Sequence, residues 1–138
     1  MLGPVTPFKT EITKDVYPVK MSDTPKLQGE SPFACVMDAI DPGKRESHLD
    51  TAKYLFSRVA EIREMPNGYA FRLSNDSDVL LKLAAFIDLE RVCCPFFGFN
   101  IEVEPEGGPV WLKLTGREGV KPFIRAEIGE FLNKESAF

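Results

Sequence analysis

The stretch FNIEVEPEGGPVWLKLT, residues 99–115, decides the fold class. Phe99, Ile101 and Val103 alternate with Asn100, Glu102 and Glu104, and Val110 to Thr115 alternates in the same way. A two-residue period of this kind belongs to strands with one face buried. Pro105-Glu106-Gly107-Gly108-Pro109 between the runs has turn chemistry, so the chain folds back on itself as an antiparallel hairpin.

Working upstream, Pro66-Asn67-Gly68 marks a second tight turn, and Tyr69, Phe71 and Leu73 alternate with Ala70, Arg72 and Ser74. Residues 61–65 are expected to pair with 69–74. Between the hairpins, Asp76 or Ser77 caps a helix running from about Asp78 to Cys94, where Pro95 blocks its continuation. Before the first hairpin, Ser47 reads as the N-cap of an amphipathic helix whose apolar positions are Leu49, Ala52, Leu55, Phe56, Val59 and Ile62. Phe33 to Ile40 is apolar enough for a buried strand ended by the turn Asp41-Pro42-Gly43. A last helix is expected over 118–133, with Pro122 tolerated near its first turn.

These elements predict an α+β domain with three helices and a mixed, mainly antiparallel sheet of four to five strands. The first six elements follow the ferredoxin-like split βαβ order, and a C-terminal strand and helix are added. Residues 32–138 form this domain. Residues 1–31, with Pro4, Pro7, Pro18 and Pro25 and no sustained apolar period, read as an irregular N-terminal arm, and Met21 offers an alternative start to Met1.

Composition narrows the function classes. The 138 residues carry 17 basic and 21 acidic side chains, a formal charge of -4, so no bulk attraction to nucleic acid or to anionic lipid is expected. The longest uncharged run, Val92 to Ile101, is broken by Pro95, Gly98 and Asn100 and falls far short of the ~20 apolar residues that span a bilayer. The first twenty residues lack a basic start and an apolar core, so a cytoplasmic address is expected. Three cysteines, Cys35, Cys93 and Cys94, are an odd count in a reducing compartment and read as free thiols.

The unusual chemistry lies in Glu90-Arg91-Val92-Cys93-Cys94-Pro95-Phe96-Phe97-Gly98-Phe99. On a helical wheel Glu90 and Cys94 fall in the apolar sector set by Val79, Leu83, Phe86 and Ile87, while Lys82, Asp88 and Arg91 fall at or beyond its edges. A carboxylate on that face needs a partner, either a hydrogen-bond donor or an arginine. Cys93 and Cys94 are candidate ligands for a thiophilic metal ion, with Cys35, His48 or Glu90 able to join them. Against this stands the reading of cysteine as a small packed hydrophobe. A fixed structural zinc site is disfavoured by the absence of Cys-x2-Cys and by the single histidine, and His48, in an expected first helical turn, reads as a surface residue. Thiol catalysis is also disfavoured, because the pair sits at a helix C-terminus whose dipole raises thiol pKa unless Arg91 offsets it. Phe96, Phe97, Phe99 and Trp111 are candidates for one pocket wall across the sheet, with simple core packing as the alternative. Arg117, in the turn Thr115-Gly116-Arg117-Glu118-Gly119, offers only a weak anion site.

Residues 83–131, from LAAFIDLERVCCPFFGF onward, resemble a bacterial family of small uncharacterised proteins marked by E-[RQ]-x-C-C-[PS]-F-[FL]-x-F. Similar domains form C-terminal extensions of MerR-like regulators. The resemblance follows element order over roughly 33–133 and is specific over Glu90 to Phe99. It carries over Glu90, Cys93, Cys94, Phe96 and Phe99, but not Cys35 or His48, and it implies a small-ligand or metal-responsive module. The expected function is therefore a sensor-like domain without turnover whose ligand-binding candidates are Glu90, Arg91, Cys93, Cys94, Phe96, Phe99 and Trp111. Its partner is a small molecule or metal, with a homodimer as a further option. The alternatives are a thiol-dependent enzyme and a structural or oligomerising module.

Overall fold

Asp76 opens the longest helix: its carboxylate accepts the backbone N–H of Val79 at 2.9 Å, the N-cap arrangement that satisfies a donor left over by the helix. In the computed structural model, which describes residues 29–132 and Phe138, this helix is α2, Ser77–Cys93. It is preceded by α1, Pro42–Phe56, and by the strands β1, Glu61–Met65, and β2, Gly68–Leu73. It is followed by β3, Gly98–Val103, β4, Val110–Thr115, and α3, Val120–Gly129. The expected irregular arm and the choice of start lie outside the described residues, apart from the last few positions before Pro32. No described helix is long and apolar enough to cross a membrane.

The sheet is antiparallel throughout, in the order β1-β2-β4-β3. Met65 pairs with Gly68, so the first hairpin turns on Pro66 and Asn67 and pairs 61–65 with 68–72, one residue tighter than expected. Gly68 is required there because a Cβ would lie 1.9 Å from the Leu114 carbonyl oxygen of the neighbouring strand. By register, β2 and β3 run in the same direction on either side of β4, and α2 makes the crossing between them.

Tyr69, Phe71 and Leu73 of β2 pair with Leu114, Leu112 and Val110 of β4. On this face they pack with Leu55 and Phe56 of α1, Leu83 and Phe86 of α2, and Ile124 and Ile128 of α3. Phe56 meets Phe71 and Phe86 edge-on, with centroids 5.4 and 5.5 Å apart. All three described helices therefore cover one face, and burial of these side chains, at roughly 1.5–3 kcal/mol each, holds the layers together.

Two expectations are corrected. Phe33 to Ile40 forms no strand: it is an extended lead-in with a short 3-10 turn, Met37–Ala39. Phe33, Cys35 and Met37 alternate inward as a strand's would, but they pack onto helices with no strand beside them. The expected split βαβ order of the first six elements consequently lacks its leading strand, and the sheet of the described residues has four strands, the lower of the expected counts. Helix α1 also begins five residues before Ser47. Asp41 caps it by accepting from Gly43 N–H at 3.2 Å, and Pro42 fills the first helical position, where its missing N–H costs nothing. The supposed Asp-Pro-Gly turn is thus a helix start.

Candidate thiol and metal site

Helix α2 ends with Glu90 and Cys93 on its buried side, and Cys94 follows as its C-cap, its N–H bonded to the Glu90 carbonyl at 2.7 Å. The Cys93 carbonyl accepts the Val36 N–H at 3.0 Å. That bond satisfies one of the acceptors a helix terminus leaves open, and it sets Cys35 beside the two sulfurs of the motif. Cys93 Sγ lies 3.7 Å from Cys94 Sγ, and the donor sulfurs of Cys35, Cys93 and Cys94 all fall within 4.8 Å of one another. Two ligands bound tetrahedrally at ~2.3 Å stand ~3.75 Å apart. The vicinal sulfurs are therefore already spaced to share one ion.

The buried carboxylate has its partner. His48 Nε2 lies 2.7 Å from Glu90 Oε2, and both residues are nearly closed to solvent, at 3% and 9% exposure. Phe86 stacks on the imidazole at 5.4 Å and 14°. Cys93 Sγ is 3.6 Å from the same Glu90 oxygen. His48, Glu90 and Cys93 accordingly form a second trio within 4.8 Å that shares Cys93 with the first. A cavity of about 50 Å³ opens beside them, lined by Cys35, Met37, His48, Glu90, Glu127 and Phe131 among others. Drug-sized ligands occupy ~300–1,000 Å³, so this space suits an ion or a few waters.

The thiol protons are unevenly held. Cys35 is held far below the ordinary thiol range, first by side-chain hydrogen bonding with Cys93 and then with Cys94; His48 helps, and burial opposes. Cys93 and Cys94 are pushed up, first through their hydrogen bonding with Cys35, then by burial and by the Glu90 charge. The three thiols titrate as one coupled set, in which Cys35 is the one pushed down and Cys93 and Cys94 the ones pushed up. On the cavity wall, Glu127 is raised, chiefly by burial and then by the charges of Cys35, Glu130 and Glu90.

Of the sequence candidates, Glu90, Cys93 and Cys94 come together, Cys35 and His48 join them, and Arg91, Phe96, Phe99 and Trp111 do not. Arg91 points away and pairs with Asp88 at 3.1 Å on the exposed side of α2. Phe96 packs in an aromatic cluster with Phe33, Phe97 and Phe123, at 5.1, 4.8 and 4.9 Å. Phe99 touches Phe97 at 5.9 Å. Trp111 lies on the face of the sheet opposite the described helices, beneath the Arg63 guanidinium at 4.4 Å, so it shares no pocket wall with the phenylalanines. Arg117 donates to the Ser31 carbonyl and lies over Phe33 at 4.1 Å, an anchoring of the lead-in. His48 is corrected from surface residue to buried partner. Its signal was present, because it precedes Ala52 and Leu55 by four and seven residues on the apolar stripe. No known protein family, curated protein or solved structure matches the chain.

Proposed function

We propose that this chain is a sensor-like domain that holds a thiophilic metal ion between Cys35, Cys93 and Cys94 without catalytic turnover. One observation carries the reading: three sulfurs from two segments distant in sequence lie within 4.8 Å of one another in a largely buried pocket. Sulfur-only donors favour soft ions such as copper(I), mercury(II) or arsenic(III). An ion in this position ties the lead-in before α1 to the end of α2, and binding then stabilises that junction by mass action. The resemblance over Glu90 to Phe99 points the same way. For the sheet, the reading is a rearranged ferredoxin-like layer: β2, α2, β3, β4 and α3 follow the split order, and the strand that ordinarily closes it comes first, as β1.

A thiol-dependent enzyme is the second reading, favoured by a half-buried Cys35 thiol, held below its ordinary range, on the wall of a cavity. Native mass spectrometry of the reduced protein with copper(I) or arsenite separates the readings. One ion per chain that resists a competing dithiol, and is lost in both Cys35→Ser and Cys93→Ser/Cys94→Ser, is the expected result. Equal uptake by wild type and variants overturns the metal reading.

A further inference from the structure

Resting on the metal reading, we infer that the site has a second cation position of the zinc type, formed by His48 Nε2, Glu90 Oε2 and Cys93 Sγ, with the Cys93 sulfur bridging it to the trisulfur position. Two trios of donor atoms exist, and each lies within 4.8 Å with Cys93 common to both. Their chemistry differs. Three sulfurs make a soft set, whereas one nitrogen, one carboxylate oxygen and one sulfur make the borderline set that zinc(II) takes, with the fourth place left for water.

The distances agree with this assignment. Sulfur and oxygen bound to zinc at ~2.3 and ~2.0 Å stand ~3.5 Å apart, and Cys93 Sγ and Glu90 Oε2 are 3.6 Å apart. Nitrogen and oxygen ligands stand ~3.3 Å apart around zinc, so the 2.7 Å contact of His48 with Glu90 opens slightly as an ion enters between them. The cavity borders both residues and gives that movement room.

A separate observation marks the position as incomplete. His48 is 3% exposed, and its Nδ1 has no hydrogen-bond partner among the described residues. Buried polar atoms in folded proteins nearly always have one. Charge gives the same count: three thiolates and the Glu90 carboxylate sum to four negative charges, which two divalent cations neutralise.

The test is zinc(II) titration of the reduced full chain, read as stoichiometry by native mass spectrometry under a competing chelator. Cobalt(II) absorption follows the number of sulfur ligands. Two zinc ions are expected for wild type, and one for His48→Phe and for Glu90→Gln. One zinc in wild type that both variants retain overturns the second position and leaves the trisulfur reading standing. Two zinc ions in both variants also overturn it, because the second ion then lies elsewhere. No zinc in wild type overturns it as well, and arsenite or copper(I) uptake then decides the metal reading separately. Should either variant fail to fold, the wild-type stoichiometry and the cobalt spectrum still decide.

Discussion

His48 and Glu90 share a hydrogen bond inside the core, and the other donor beside that carboxylate oxygen is the weaker Cys93 thiol at 3.6 Å. Replacing His48 with Phe fills the space beside Phe86 but strips Glu90 of its stronger partner. The expected cost is about 2–3 kcal/mol, the range for hydrogen bonds to charged groups, measurable by urea unfolding. Glu90→Gln keeps a bond to the imidazole and costs less. At Cys35 the prediction is kinetic. Because the Cys35 thiol is held low and is the least buried of the three, iodoacetamide at neutral pH labels Cys35 first, and peptide mapping finds Cys93 and Cys94 modified late. Equal labelling of all three contradicts the uneven sharing of protons. The carboxylate's need for a partner was legible in the sequence from the phase of Glu90 on its helix. The identity of that partner was hidden by an error in the start of α1, because a histidine in a first turn faces solvent by default whereas one in the second turn follows the apolar stripe.

Among the elements, α2 was the most legible, since Asp76, the apolar period and Pro95 bound it independently. The hairpins were nearly as clear, because Pro66-Asn67-Gly68 and Pro105-Glu106-Gly107-Gly108-Pro109 leave the chain little alternative to reversal. The stretch from Phe33 to Ile40 misled because a period of two reports alternate burial, which a lone extended segment lying on helices produces as well as a strand does. The cap of α2 yields a pH prediction. The Val79 N–H, first, and the Ser74 hydroxyl hold Asp76 below the usual carboxylate range. A lowered folded value means the stabilisation is complete above the unfolded value of ~3.9 and is lost as pH falls through the folded one. The stability gap between wild type and Asp76→Ala should therefore be full at pH 6 and close in strong acid, followed by circular dichroism. A gap independent of pH would remove the cap from the account. At the start of α3, Gly119 has φ 98° and a Cβ there would lie 2.8 Å from the Phe33 ring. Gly119→Ala is expected to cost more than 1 kcal/mol, given both strain and crowding, and to loosen the lead-in before it affects the sheet.

Over the described molecule, the sulfur cluster joins the sparsely bonded lead-in to the end of α2. The backbone of residues 33–37 is bonded outward chiefly through Val36 to Cys93, whereas β2 and β4 are paired along their full length. Loading with arsenite should slow hydrogen exchange across residues 33–40 by tenfold or more and leave β2 and β4 unchanged, since local opening and global unfolding are separate events. Uniform protection would mean that the ion acts on the whole fold. The sole tryptophan supplies the complementary readout. Trp111 is 3% exposed, roofed by Arg63, and the thickness of the sheet separates it from the helical layer that carries the thiols. The molecule thus contains a built-in optical gauge of its unfolding midpoint, insulated from the chemistry at the cysteines: its emission stays constant while an ion is taken up and changes only when the sheet itself comes apart.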